Sequence, residues 1–184
     1  MTDINAPTLG PRGAGAAQAA TADADGGPAP DAHLVSVVEL LFFAYRDFTG
    51  EADAVLEEIG LGRAHHRVLH FVHRNPGLRV ADLLGILKIT KQSLARVLKQ
   101  LVDNGHVTQS MGERDRRERR LTLTDKGTAL AQRLIALQTA RVAQALSLAG
   151  PDAENLTRDF LFAMVGVDDR PGVAALIRDP EYAA

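Results

Sequence analysis

Residues 80–127 read VADLLGILKITKQSLARVLKQLVDNGHVTQSMGERDRRERRLTLTDKG, and the expected fold turns on how this stretch changes period. In its first part the apolar residues recur at helical spacing: Val80, Leu83, Leu84 and Leu87, then Leu94, Val97, Leu98 and Leu101. The spacing predicts two short helices, over 80–87 and 91–104. Thr90 is placed to cap the second and Gly105 to end it. The period then drops to two. Val107, Gln109 and Met111 alternate with polar residues, Leu121 and Leu123 alternate with Arg120, Thr122 and Thr124, and a hydrophilic run over 112–119 separates the two segments. That pattern predicts a β-hairpin with a charged tip. Two short helices joined by a tight link make a helix-turn-helix, and the hairpin gives it a wing.

Outward from this unit the chain reads as helix on both sides. Arg63 to Arg74 forms one, with Val68, Leu69 and Val72 inward, and the turn Asn75-Pro76-Gly77 closes it, because Pro76 disfavours helix at Asn75 and Gly77 tolerates positive φ. A longer helix runs from His33 to about Ile59, capped by Asp31, with Leu34, Val37, Val38, Leu41, Phe42, Tyr45 and Phe48 on one stripe. Leu40, Phe43 and Ala44 lie beside that stripe and widen its apolar face. On the C-terminal side, Thr124 or Asp125 starts a long helix to about Ala149, Gly150-Pro151 breaks it, and Asp152 opens another through about Val167. Residues 1–31 are dominated by Ala, Gly, Pro, Thr and Asp and carry few large apolar side chains, so they read as a disordered tail. The expected class is mainly α with a small β wing.

Composition narrows the function. The chain has 184 residues with 46 % apolar content but only 4 % aromatic, so its core is Ala, Leu and Val, which favours helix. It has no cysteine, which excludes a disulfide scaffold, a thiol sensor and Cys-ligated metal centres. No run reaches the ~20 apolar residues of a membrane helix, and the N-terminus lacks a secretory pattern; a soluble, cytoplasmic protein without membrane contact is expected. There is no Gly-rich phosphate loop, nucleophile elbow or His-Glu-x-x-His, so neither an enzyme nor a cofactor is expected. Asp168-Asp169 is a lone acidic pair, read as a helix-end surface. The net charge of −2 hides an asymmetry: residues 63–126 hold 14 Lys/Arg against 6 Asp/Glu, while the remainder is strongly acidic. A basic segment of this kind suits a polyanion.

The second helix of a helix-turn-helix lies in the major groove and presents its N-terminal residues to base edges. Here these are Lys91, Gln92, Ser93 and Arg96, with Lys99 one turn further on. Gln pairs bidentately with adenine, and Arg or Lys with guanine. Thr90 and the free amides of the first turn suit a phosphate. The hairpin tip, Glu113 to Arg120, holds five Arg in eight residues, among them Arg114, Arg116 and Arg117, and can reach phosphates or a narrow minor groove. Asp115 is better suited to orienting its neighbours than to meeting phosphate. The partner expected from these residues is double-stranded DNA.

The ordered set Gly60-Leu61, Arg67-Val68-Leu69, Asn75-Pro76-Gly77-Leu78, Ala81-Asp82-Leu83-Leu84, 89–98, 101–107, Arg114-Asp115-Arg116-Arg117 and 121–127 resembles the MarR family of winged helix-turn-helix regulators. The resemblance covers about residues 33–167, and the wing followed by Leu-Thr-x-x-Gly is its most specific piece. It implies a homodimeric transcription regulator on a palindromic operator. The implied organisation is a tail over 1–31, an N-terminal dimerisation helix over 32–60, a DNA-binding domain over 61–127, and C-terminal dimerisation helices and tail over 128–184. Arg117 and Asp115 match the family's wing pair, and Gln92, Ser93 and Arg96 its recognition-helix contacts. The resemblance also implies a small aromatic or acidic effector held between the dimerisation helices and the DNA-binding domain, with Tyr45, Arg46 and His66 as candidate lining. Alternatively, Arg46 pairs with an acidic neighbour such as Asp53 or Glu51. Two positions depart from the family: Gly112, where Asp is frequent, and Arg79, where Ser or Thr caps the next helix.

Two alternatives stand beside this reading. His66, His70 and His73 share one stripe of their helix, and two His four apart can bind zinc or nickel, which would make a metal-responsive regulator of the same fold; packing of these rings at a subunit interface is the plainer account. The other is a winged-helix module that binds protein rather than DNA, against which the basic recognition face argues.

Overall fold

A computed structural model describes residues 31–112, 115 and 117–177; the tail expected over 1–31 therefore lies almost wholly outside the described residues. Contacts within the chain divide it into two units, 1–39 and 40–184. The described part of the first unit is the start of α1 (Ala32–Glu57). Asp31 caps it as expected: its side chain accepts from the His33 amide at 2.9 Å and its carbonyl from that of Val35 at 2.9 Å. Leu34, Val35, Val37 and Val38 along this turn are all exposed.

The second unit contains the rest of α1 and then α2 (Arg63–Arg74), β1 (Leu78–Arg79), α3 (Val80–Leu87), α4 (Lys91–Asp103), β2 (Val107–Met111), β3 (Arg119–Leu123), α5 (Asp125–Ala149), α6 (Ala153–Ala163) and α7 (Arg170–Ile177). The strands pair antiparallel in the order β1-β3-β2. The β2–β3 ladder runs from Val107 opposite Leu123 to Met111 opposite Arg119. Helix α2 sits at the centre and touches α3, α4, α5 and β3. One core joins these elements: Leu56, Val68, Leu69, Val72, Leu83, Leu94, Leu101, Leu121 and Leu134 have no measurable exposure. Each such leucine contributes about 2 kcal/mol by leaving water.

Three features differ from expectation. First, β1 is a strand of two residues, too short to show a period; Gly77, at φ 83°, turns the chain so that its amide reaches the Leu121 carbonyl at 2.8 Å. Second, the helix expected to continue to Val167 stops at Ala163. Arg170 folds back to donate to the carbonyls of Ala163 (2.8 Å) and Val165 (3.1 Å), satisfying acceptors that the helix end leaves open. Third, the chain becomes helical again at Arg170, where Pro171 falls in the first turn, a position that tolerates a missing amide.

Candidate nucleic-acid interface

The link between α3 and α4 is Lys88-Ile89-Thr90. Lys88 takes the left-handed conformation (φ 50°) that ends α3. Thr90 then caps α4: its hydroxyl oxygen accepts from the Ser93 amide at 3.1 Å and its proton goes to the Ser93 hydroxyl at 2.9 Å. Leu94, Val97, Leu98 and Leu101 are buried, which leaves Lys91, Gln92, Ser93, Arg96 and Lys99 on the solvent side of the helix. Lys99 is ion-paired to Asp103, one turn away. Lys91, Gln92 and Arg96 have no ion pair or side-chain hydrogen bond among the described residues.

The wing projects beside this helix. Beyond Met111 and Arg119, the Gly112 amide donates to the Glu118 carbonyl at 3.1 Å and the Glu118 amide to the Asp115 carbonyl at 3.0 Å, so these three residues are tied through their backbone. The Asp115 carboxylate accepts the Arg117 amide at 2.8 Å, so it acts on the backbone that carries Arg117. Arg114 and Arg116 lie outside the described residues. The glycine at 112 has a structural cause. A Cβ there would stand 2.7 Å from the Asp115 carbonyl oxygen and 3.0 Å from the Glu118 Cβ, so the Asp frequent in the family does not fit this turn.

The joint behind the wing is tighter still. The Thr124 hydroxyl donates to the Gly105 carbonyl at 2.7 Å and accepts from the Gly127 amide at 3.0 Å, capping α5 against the end of α4. A Cβ on Gly127 would lie 2.0 Å from the His106 carbonyl oxygen. The Leu-Thr-x-x-Gly pattern is thus a packing requirement: the first turn of α5 rests directly on backbone. His106, buried in the same joint, went unremarked in the sequence. Its burial, with Lys126 nearby, lowers its pKa.

A second feature lies on the far side of α2. A cavity of about 250 Å³ is lined by Tyr45, Phe48, Thr49, Arg63, His66, Arg67, His70, Phe71 and Gln138. Tyr45 and His66 are where the effector expectation put them. Arg46 is not among the lining residues: it pairs with an acidic neighbour, as the alternative had it, but with the adjacent Asp47 rather than Asp53 or Glu51, and lies over the Phe43 ring. Asp53 instead takes Arg63 at 2.6 Å, and Glu51 takes Arg141. The cationic lining is Arg63 and Arg67, a pair that sequence reasoning passed over because α2 shows its cavity face only once folded against α1 and α5. The histidines divide their tasks. His66 and His70 face the cavity, and burial is the main cause that lowers both their pKa values. His65 turns to α4, accepting from the Gly62 amide at Nδ1 (3.1 Å) and meeting Gln100 through Nε2 (2.9 Å). Among the described residues no three His, Cys, Asp or Glu side chains are grouped to hold a metal ion, and no helix is long and apolar enough to cross a membrane.

Comparison with known proteins places this arrangement. The profile of the MarR family matches residues 59–118. The HTH-type transcriptional regulator PetP of Rhodobacter capsulatus is 47 % identical over 135 residues, 73 % of this chain and 81 % of that protein. An HTH-type transcriptional repressor of Mycobacterium tuberculosis is 32 % identical over 109 residues, 59 % of this chain and 78 % of its own length. Among solved structures, NadR in complex with 4-hydroxyphenylacetate superposes with a TM-score of 0.62 at 18 % identity, over 77 % of this chain and 98 % of NadR. A MarR protein from Peptoclostridium difficile gives 0.61 at 19 % identity, over 78 % of this chain and 92 % of that one. At these identities the structures speak for the fold alone.

Proposed function

The chain belongs to the MarR family and is a winged helix-turn-helix, DNA-binding transcription regulator, and from that premise we propose that it acts as a cytoplasmic homodimer on a palindromic operator, with no catalytic step of its own. One observation carries the reading. The first turns of α4 present Lys91, Gln92, Ser93 and Arg96 to solvent beside a wing bearing Arg117 and Arg119, while every inward position of the same helix is aliphatic. Such a face offers base-edge donors and phosphate ligands at once. In this reading residues 61–127 bind DNA. Thr90 and the first-turn amides of α4 take a phosphate, Gln92, Ser93 and Arg96 read bases, and Lys91 and Lys99 hold the backbone. The tip residues Arg114, Arg116 and Arg117 reach the flanking groove, with Asp115 setting the Arg117 backbone.

The dimer is proposed through 32–60 and 128–184. Support comes from large apolar side chains that the single chain leaves in water: Leu156, Phe160, Leu161, Met164 and Val167 after α5, and Phe42 and Phe43 on α1. Two-fold symmetry then sets half-sites about one helical turn, ~10 base pairs, apart. The cavity lined by Tyr45, Arg63, His66 and Arg67 is proposed as the effector site. Two guanidiniums and a phenol ring suit a small aromatic acid, the class to which the 4-hydroxyphenylacetate bound by NadR belongs.

Enrichment of duplexes from a random pool by the purified chain, followed by binding across a salt series, tests this. The expected result is an enriched inverted repeat and a steep negative slope of log affinity against log salt. With Gln92→Ala the enriched sequence changes more than the affinity does. No enrichment, or a flat slope, would rule the reading out.

A further inference from the structure

Arg79 enters the sequence as a departure, a residue that cannot cap α3 through a short hydroxyl. Its backbone occupies the N-cap position with no side-chain cap bond. Its guanidinium has another task. Nε and Nη2 grip the two oxygens of Asp82 at 2.7 Å each, a fork-on-carboxylate contact within the first turn of α3. Nη1 reaches Glu118 Oε1 at 3.2 Å, and Glu118 Oε2 takes Nη2 of Arg120 at 3.3 Å. The four residues form one alternating chain of charge, Asp82–Arg79–Glu118–Arg120, spanning the start of α3 and the wing.

Strand register explains why Glu118 sits where it does. Arg79 of β1 lies directly opposite Arg120 of β3. Two like charges facing across a ladder repel. Glu118 stands just ahead of β3, two residues before Arg120, and its carboxylate reaches the guanidiniums of both Arg79 and Arg120. It therefore turns a repulsive cross-strand pair into a bridge. Glu118 is also the residue that closes the wing tip: its carbonyl accepts the Gly112 amide, and its amide donates to the Asp115 carbonyl whose carboxylate holds Arg117. The same side chain that is tied to α3 thus belongs to the residue from which the tip is hung. The Arg79 guanidinium is held firmly protonated by its bonds to Asp82 and Glu118.

We infer that Arg79 is a positioning residue for DNA binding: through Glu118 it fixes the direction of the wing relative to α3, and so to the recognition helix. Arg79 and Arg120 are then committed to the bridge, while Arg117 and Arg119 at the tip remain for phosphate. The inference rests on the proposal that the wing meets DNA.

Glu118→Ala tests it by sign. Removing an acid beside a polyanion tightens binding if electrostatics alone counts. If Glu118 anchors the wing, the variant binds its enriched duplex more weakly, by about fivefold, the scale expected for an ion-pair network at a surface. Arg79→Ala should weaken binding to a similar extent, and the double variant no further than either single one, because both break one bridge. Hydroxyl-radical footprints of the variants should lose protection at the wing-flanking sugars and keep it at the recognition helix, with the melting temperature within a few degrees of the parent. A merely structural role would instead lower the whole footprint together with the melting temperature. Tighter binding by Glu118→Ala, additive losses, or an unchanged wing footprint would each overturn the proposal. If the parent chain enriches no duplex, the DNA-binding reading and this proposal fall together; if it enriches one and the variants match it, this proposal falls alone.

Discussion

The winged segment and the C-terminal helices share one chemistry and treat it in opposite ways. In α2 to β3 the apolar pattern is consumed internally: Val68, Leu69, Leu83, Leu94 and Leu121 are all at 0 % exposure. In the region beyond the middle of α5 the pattern is just as apolar, yet Leu148 is 83 %, Leu156 67 % and Val167 72 % exposed. Helical propensity and amphipathic spacing are present in both. What differs is the supply of facing surface: α2 is enclosed by α3, α4, α5 and β3, whereas α6 meets chiefly α5. A closed core marks a unit complete among the described residues, and the open stripe is the surface on which the proposed dimer rests.

The largest test attacks the open side. Phe160→Asp combined with Leu161→Asp should halve the mass seen by sedimentation and weaken binding to an inverted-repeat duplex by about a hundredfold, since half-sites then bind independently. An unchanged mass would place the interface elsewhere if the parent is a dimer, and a parent of single-chain mass would remove the proposed dimer. On the closed side, Gly127→Ala puts a methyl group against the His106 carbonyl and should cost about 3 kcal/mol in urea unfolding. A loss below about 1 kcal/mol would mean that the joint yields more easily than its geometry implies.

A pH series sharpens the same contrast, because the histidines belong to the closed side. Burial lowers the pKa values of His66, His70 and His106 from the ordinary 6.5, with Asp53 and Gln138 partly opposing this at His66. The unfolded chain then takes up protons first. Stability is whole above about pH 6.5 and drains as pH falls through the lowered values. The melting temperature should drop between pH 7.5 and 5.5, and His66→Gln should flatten the drop; a variant that keeps the full slope would remove His66 as a contributor. Gly112→Asp, which restores the family's frequent residue, should destabilise by about 1 kcal/mol and weaken DNA binding a few fold, because the tip must open to admit it. Arg117→Ala has the smallest expected effect: the salt slope falls by about one unit, and an unaltered slope would take Arg117 off the phosphates.

Legibility followed a different division. Where a contact is set within one element or at its cap, the sequence states the contact. The spacing of Leu94, Val97, Leu98 and Leu101 marks α4, and Thr90 marks its cap, because each uses local rules of period and hydrogen bonding. Features that depend on which residues meet across distant strands were not legible. No local rule brings Arg79 to Glu118, 39 residues away; the register of β1 on β3 does. The lining of the cavity by Arg63 and Arg67 needed the packing of α2 on α1 and α5, and Arg46, the nearest arginine in sequence to Tyr45, is not among the lining residues. The helix end at Ala163 was set too late, at about Val167, because the capping of its carbonyls by Arg170 acts through space and leaves no local signal.

The seat of Gly127 on the His106 carbonyl has one more consequence. Joints lined by side chains have tolerance: rotamers shift, and neighbours trade volume. Here backbone bears on backbone, with no adjustable part between the end of the recognition helix and the root of α5. A tilt of α5 would therefore bear first on the backbone that leads from the recognition helix into the wing. Loss of grip on DNA would then start with a swing of that long arm, well away from the bases themselves.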